Sequence, residues 1–533
     1  MTRVLGIEGT AWAASAAVFD ADRDAVRMES EAYQPDSGGI HPREAAEHMH
    51  DAIPQVVESV LGDTDDPVDA VAFSRGPGLG PCLRTAGTAA RALAGTLGVP
   101  LVGVNHMVAH LEIGRRRSGF SAPVCLNASG ANAHLLGFHS GRYRVLGETM
   151  DTGVGNAIDK FARHVGWDHP GGPKVEEAAR EGEYVELPYV VKGMDFSFAG
   201  ITSAAQDAIE DGTPVADVCR GLEETIFAML TEVSERALSL TGRDELVLGG
   251  GVGQNRRLRG MLEAMCGARG ASFFAPADRF LRDNAGMIAV LGAEMYEAGD
   301  TIPIDDSAVR PGFRPDQVPV TWRSDEPAAH TPERNDTASD HDEIRGAEAV
   351  VEIGDRVNKR RIEKPYRHPD LDARLRAERT AAEARLTSLA RRQGVATPVL
   401  WDIDPEAARL VFEHVGEADL GDAPTEPQVR RVGEHLAAIH DAGVVHGDPT
   451  VRNVRVDPGT EWVYLIDFGL GYHTRDVEDY AMDLHVFEQS ITGTAADHES
   501  LCRAFEEAYR EAGSESVIDR LRDIEDRGRY QEG

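Results

Sequence analysis

"VDAVAFSRGPGLGPCLRTAGTAARALAGTLGVPLVGV", residues 68–104, decides the fold class. An apolar run breaks at a glycine-rich turn, a helical stretch of small and apolar residues follows, and a second apolar run begins after Gly98. Strand, turn, helix and strand in that order mark an α/β sheet with helices packed on it. The alternation extends outward over residues 1–317, the expected first domain. At 533 residues the chain is too long for one ordinary core, so a second domain is expected.

Between Val318 and Glu343 the alternation stops. "SDEPAAHTPERNDTASDHDE" carries seven acids against one arginine and no apolar periodicity, which predicts a solvated linker over 318–343. Beyond it, "AEAVVEIGDRVNKRRI" reads as a strand hairpin and "LDARLRAERTAAEARLTSLARRQ" as a long amphipathic helix. These open a smaller domain of a different kind over 344–533. No internal repeat is visible.

Ninety acids against 55 lysines and arginines leave a net charge of −35, and lysine occurs only at Lys160, Lys174, Lys192, Lys359 and Lys364. Such a surface suits a halophile's cytoplasm, where molar salt shortens screening to roughly 3 Å. In a chain so poor in lysine, those that remain are expected where an ammonium is needed. No run of about 18 apolar residues and no secretory leader occur, which predicts a cytoplasmic protein without a membrane span. The five scattered cysteines form no CxxC pair, which argues against disulfides and thiolate zinc.

In "VNHMVAHLE", residues 104–112, His106 and His110 stand four apart, on one face if the segment is helical. A metal needs a third ligand, and Asp283 in "FLRDNAGMIAVLGAE" is the candidate; the plain alternatives are a polar helix face and a helix N-cap. Two imidazoles and one carboxylate suit iron or zinc. A metalloendopeptidase would carry HExxH, with glutamate directly after the first histidine; Met107 stands there instead. Thr10 and Ser15 in "GIEGTAWAAS" offer hydroxyls to phosphate or adenylate oxygens. The glycine-rich "GPGLGP" (76–81) and "LGGGVGQN" (248–255) offer backbone amides beside helix starts.

In the second domain, "VVHGDPTVRN" places Asp448 five residues before Asn453, and "LIDFGLG" puts Asp467 after an apolar strand. Phosphoryl transfer of the kinase type uses this set: a base on a loop, with an amide and a second carboxylate holding magnesium against ATP. Lys359 would contact the phosphates and Glu383, on the long helix, would pair with it. Of a glycine-rich loop only Gly346 remains, and the stretch from Asp467 to "EDYAMDL" is too short for an activation loop.

The ordered motifs "GIEGTAWAAS", "GPGLGPCLRTAGTAARALA", "NHMVAH", "GETMDTGVGNAIDKFARHVGWDHPGGPKVEEAA", "MDFSFAGITSA", "GGGVGQNRRLR" and "RDNAGMIA" resemble the universal tRNA threonylcarbamoyladenosine transferase family over about residues 4–295. The resemblance implies a two-lobed ASKHA (actin and Hsp70-like) domain. It also implies transfer of threonylcarbamoyl from threonylcarbamoyl-AMP to N6 of the adenosine 3′ of the anticodon, in tRNAs reading ANN codons. By the same resemblance His106, His110 and Asp283 hold iron or zinc, while Ser129, Gly130, Asp159, Gly172, Glu176 and Asn255 bind the adenylate. Asn127 is placed with these substrate-binding residues, where the family often has a tyrosine that can ligate the metal.

"KPYRHPDLD", "ERTAAEARL", "HGD" and "VEDYAMDL" resemble the small kinase/ATPase subunit of the KEOPS complex. This implies a bilobal kinase-like domain with Mg-ATP, Asp448 as base, Lys359 and Glu383 at the phosphates, and Asn453 and Asp467 on magnesium. The chain as a whole resembles an archaeal fusion of the two subunits, a bifunctional enzyme whose partners are tRNA and other KEOPS subunits. A signalling serine/threonine kinase with an ASKHA regulatory module is the rival, opposed by the missing activation segment. Arginine clusters at 114–117, 256–259 and 358–361 are candidate tRNA contacts against a repelling background.

Overall fold

The computed structural model describes residues 2–33, 41–62, 67–139, 141–323, 342–346, 348–457, 459–495 and 497–529. It divides into two compact units, one of Met1–Val190 with Phe196–Pro332, the other of Val191–Asp195 with Glu333–Tyr530.

The opening stretch folds as its pattern requires. Ala70–Gly76 is a strand, Gly80–Leu97 a helix and Leu101–Asn105 a strand parallel to the first. Both strands are nearly continuous apolar runs because helices cover the sheet on two faces. The sheet runs Ala25–Ala32, Ala13–Asp20, Arg3–Glu8, Ala70–Gly76, Leu101–Asn105. The first three strands are antiparallel and the last three parallel.

A second sheet runs Arg142–Glu148, Ala133–His139, Val124–Ala128, Glu245–Gly249, Ser272–Phe274. Again three strands are antiparallel and the last three parallel. The two sheets therefore repeat one topology, although the sequence shows no repeat. Topology depends on which strands pair and in what direction, and many unrelated apolar runs satisfy the same pairing.

The second unit opens with a five-stranded antiparallel sheet in the order Asp342–Arg345, Ala349–Ile353, Arg356–Arg361, Arg409–Glu413, Leu400–Asp404. The expected hairpin and the long helix, Pro369–Arg392, are both present. Helices Glu426–Asp441, Val477–Thr494, His498–Ala512 and Glu515–Arg529 build the rest around a core that includes Leu436, Phe468, Phe487 and Phe505.

The expected linker over 318–343 is too wide at both ends. Val318 is buried, and Trp322 packs on the core of the first unit. Arg323 reaches Glu112 at 3.1 Å and the Ser121 carbonyl at 2.8 Å. At the far end Asp342–Arg345 is a strand. Composition hid this because one apolar anchor and one ion pair suffice to hold a short polar segment. Residues 324–341 lie outside the described residues.

Candidate functional site

Strand Leu101–Asn105 ends where helix His106–Ser118 begins. The Asn105 side chain caps that helix, accepting from the Met107 and Val108 N–H groups at 3.0 and 3.1 Å. The cap fixes the first turn, so His106 and His110 share a face; their rings stand perpendicular with centroids 4.9 Å apart. Asp283 faces both, its Oδ1 3.3 Å from His106 Nε2 and 3.6 Å from His110 Nε2.

Asp283 is not the cap of the helix that follows. Asn284 takes that place, accepting from the Met287 N–H at 3.0 Å, and leaves the Asp283 carboxylate to the histidines. The candidate ligand atoms of the three residues all lie within 4.8 Å of one another. Both ring nitrogens of His110 are buried without a hydrogen-bond partner. A buried imidazole in that condition, beside a second imidazole and a carboxylate, is a donor set that fits iron or zinc.

Behind His106, on its Nδ1 side, stands Glu8, fully buried with Oε2 at 3.1 Å and Oε1 held by the Thr10 N–H at 2.8 Å. A carboxylate there sets the tautomer of a metal-binding imidazole. Burial alone would lower the His106 pKa, but Glu8 and Asp283 outweigh it and push it up to about 10. The same contacts hold the Asp283 carboxyl far below the usual range, despite a burial effect that raises it. Burial lowers His110. The carboxylates thus favour positive charge at His106. Sequence reading passed over Glu8; a charge at the end of the apolar strand "RVLGIE" was the available signal.

Ser15 is not open to a ligand: its Oγ donates to the Glu29 carbonyl at 2.9 Å and accepts from Ala285 N–H at 3.1 Å. "GPGLGP" also serves the backbone. Gly78 has φ 156°, and a Cβ there would lie 2.7 Å from the Thr10 carbonyl oxygen. In "LGGGVGQN", Gly250 at φ 83° closes the loop onto the strand end beside it; a Cβ would meet the Ala128 carbonyl oxygen at 2.3 Å and Asn127 Oδ1 at 2.6 Å. Asn127 Oδ1 is buried and unpartnered, and its Nδ2 faces Met107 Sδ at 3.9 Å. That puts Asn127 beside the histidine helix, at the end of the strand that leads into the Ser129–Gly130 turn.

Ser129 and Gly130 form a turn, with Ser129 Oγ donating to Asn132 O at 2.9 Å. Helix Val154–His164 abuts it, the Gly155 and Asn156 N–H groups donating to the carbonyls of Ser129 and Gly130. From that helix Asp159 accepts the Gly171 N–H at 2.7 Å and meets His169 Nδ1 at 3.0 Å. Gly172 has open space around it. Glu176 accepts Arg180 at 3.0 Å and the Arg256 N–H at 3.4 Å. Its neighbour Asn255 caps helix Arg256–Arg269 and donates from Nδ2 to Glu223 at 2.6 Å. Glu223 was missed in sequence because it lies within a long helix with no local motif. Burial, opposed by the Asn255 hydrogen bond, pushes its carboxyl up to about 7.

In the second unit Lys359, on strand Arg356–Arg361, meets both Glu383 oxygens at 2.9 and 3.0 Å and Asp467 Oδ1 at 2.7 Å. Asp467 sits in the left-handed region at φ 62°. Burial would raise its carboxyl, but Lys359 and Arg361 hold it down at about 2. Asn453 donates to the Asp448 carbonyl at 2.8 Å and to its Oδ2 at 3.0 Å. The Ile466 N–H, one residue before Asp467, donates to the Asn453 carbonyl at 3.0 Å. Lys359, Glu383 and Asp467 thus meet directly, and the Asp448–Asn453 pair joins them through the strand end. Gly346 shares none of these contacts; its N–H donates to Ala349 O at 2.9 Å.

The arginine clusters are largely consumed internally. Arg115 pairs with Glu112 and Glu294, Arg116 with Glu294 and Asp24, and Arg117 with Asp24. Arg257 binds Glu224, Arg259 binds Asp278, and Lys359 and Arg361 are buried on Glu383.

These observations define a two-unit α/β protein with a buried His–His–Asp group in one unit and a Lys–Glu–Asp group in the other. Residues 25–290 match the family TsaD, tRNA N6-adenosine threonylcarbamoyltransferase. The chain is 70% identical over 535 residues to the probable bifunctional tRNA threonylcarbamoyladenosine biosynthesis protein of Halobacterium salinarum, covering 99% of each. It is 70% identical over 544 residues to that of Natronomonas pharaonis, covering 100% of each. To that of Methanospirillum hungatei it is 50% identical over 530 residues, covering 99% of each. The chain belongs to this family of bifunctional tRNA threonylcarbamoyladenosine biosynthesis proteins, and its transferase activity follows from that membership. Among solved structures, HypF of T. kodakarensis aligns over 58% of this chain and 50% of its own at 15% identity, with a TM-score of 0.42. Among the described residues no helix is long and apolar enough to cross a membrane.

Proposed function

We propose that the first unit transfers threonylcarbamoyl from threonylcarbamoyl-AMP to N6 of the adenosine 3′ of the anticodon in tRNAs reading ANN codons. The second unit, in this reading, is a small kinase-like ATPase that supports turnover. The convergence of His106, His110 and Asp283 in one buried cluster carries the first assignment.

The N6 amine attacks the carbamoyl carbon, the bond from that carbon to the phosphate oxygen breaks, AMP leaves and the amine gives up a proton. An iron or zinc ion held by His106, His110 and Asp283 would polarise the carbamoyl carbonyl. Asp159 and Glu176 accept hydrogen bonds from the ribose hydroxyls, and the space around Gly172 admits the nucleotide. Ser129, Gly130 and Asn255 line the adenylate, with Asn127, whose Nδ2 faces Met107 on the histidine helix, at the end of the strand that leads to them. Glu8 orients His106. It stands on the Nδ1 side, away from Asp283, so it does not take the place of the glutamate that Met107 displaces; this opposes an endopeptidase.

The repeated sheet topology supports an ASKHA-type first unit, and the Lys359–Glu383–Asp467 cluster supports a kinase-like second one. Asp448 serves as base, and Asn453 and Asp467 would hold a magnesium ion, which would offset the charge of the phosphates. Autophosphorylation on serine or threonine is a second activity of the same site. Only residues 470–476 separate the Asp467 loop from the next helix, which leaves no activation segment and opposes a signalling kinase. A net charge of −35 with internally paired arginines supports joint binding of tRNA with other KEOPS subunits in a salty cytoplasm.

The test combines the full chain with partner subunits, tRNA, Mg-ATP and threonylcarbamoyl-AMP, and compares it with His106→Ala and Asp448→Ala. The first variant should lose modification and the second sustained turnover. Full modification by His106→Ala would sink the metal-site reading.

A further inference from the structure

Arg361 stands two residues beyond Lys359 on the same strand, so both side chains leave one face of the sheet. Its NH2 donates to Glu383 Oε2 at 2.7 Å and its NH1 to Thr380 Oγ1 at 3.4 Å, both on helix Pro369–Arg392. The same guanidinium lies against the loop of Asp467: a Cβ on Gly469 would be 2.2 Å from Arg361 NH2. Arg361 is 4% exposed and its Nε has no hydrogen-bond partner. Burying a cation with one donor unsatisfied costs stability that an apolar side chain would not, so packing alone does not account for it.

Charge balance shows what the residue does. Lys359 serves Glu383 and Asp467 at once. Nucleotide phosphates compete for that single ammonium. As Lys359 turns toward them, Glu383, 1% exposed, would be left as a buried carboxylate short of a partner. Signalling kinases keep the corresponding helix in place through an activation segment, and here only residues 470–476 stand in that place.

We propose that Arg361 is a positioning residue for nucleotide chemistry: it keeps Glu383 paired while Lys359 engages the phosphates, and so holds the helix docked without an activation segment. The proposal rests on the kinase-like reading of the second unit.

The test uses the full chain and measures Mg-ATP hydrolysis and the rise in melting temperature on adding Mg-ATP. In Arg361→Gln the KM for ATP should rise roughly tenfold, as loss of a charged hydrogen bond allows, and the Mg-ATP-induced rise in melting temperature should shrink. Arg361→Lys, which keeps the charge, should recover part of both. In a Glu383→Gln background the same substitution should add little, because the pair acts as a unit. Unchanged KM and an unchanged Mg-ATP-induced rise, even with a lower melting temperature for the free chain, would show a structural residue only and overturn the proposal. Should Arg361→Gln not fold, the apolar Arg361→Met, which removes the charge, decides: a KM and an Mg-ATP-induced rise both equal to wild type overturn it. Asp467→Asn separates the two levels. If that variant hydrolyses ATP normally, the kinase-like reading itself fails, and if the wild-type chain neither binds nor hydrolyses Mg-ATP both fall together.

Discussion

The two buried charge clusters of this protein are built on opposite balances. In the first unit Glu8 and Asp283 face two imidazoles, which are neutral unless they take up a proton. In the second, Glu383 and Asp467 face Lys359 and Arg361, an ammonium and a guanidinium. With both imidazoles neutral the first is two positive charges short; a proton on His106 covers one, and a divalent metal ion would cover both. The second is neutral as it stands, two carboxylates against two cations. A buried carboxylate therefore reports what a site is for only when its partners are counted.

Removing a ligand from the deficient cluster should break the comparison most. Asp283→Ala should lower metal affinity and transfer activity by more than about 100-fold, beyond the 10–100-fold typical of losing an outer-shell partner; metal content and a tRNA-modification assay check it. In the balanced cluster Asp467→Asn should reduce ATP hydrolysis by roughly 100-fold while a single round of tRNA modification survives. Equal loss of both activities would deny the two clusters separate tasks.

Glu223 sharpens the comparison as a buried carboxylate with no cation within hydrogen-bond range among the described residues. Its folded pKa, about 7, lies above the ordinary 4.5. Below about pH 4.5 it is protonated in both states and costs nothing. As pH rises from about 4.5 to 7 the unfolded chain gains by ionising first, so wild type has lost about 3 kcal/mol by pH 8. Glu223→Gln should match wild type at low pH and exceed it at pH 8, measured by denaturant unfolding.

The smallest effect belongs to the surface. Arg117 is committed to Asp24 at 2.8 Å, so Arg117→Ala should change stability by about 0–1 kcal/mol and tRNA affinity hardly at all. A large loss of tRNA binding would return the 114–117 cluster to the interface.

Motif spacing made the placement of the candidate residues legible where the motif is local. The helix from His106, the strand carrying Lys359 and the turn at Asp467 all fall where the sequence places them. Lysine scarcity pointed well to Lys359 and less well to Lys160, which is exposed. Glu8, Glu223 and Arg361 escaped because each acts on a partner 98, 32 or 22 residues away, where no local pattern records the pairing.

By itself the sequence determined the α/β class, the order of elements, the two units and the candidate ligands, since hydrophobic period and turn residues are local properties of the chain. Only the tertiary structure decided that Asn284 rather than Asp283 caps its helix, that Asn127 faces Met107 on the histidine helix, and that Arg115, Arg116 and Arg117 are spent on acids. The same holds for the repeated sheet topology. Pairing, burial and charge balance depend on distances between residues far apart in sequence, and those distances exist only once the chain has folded.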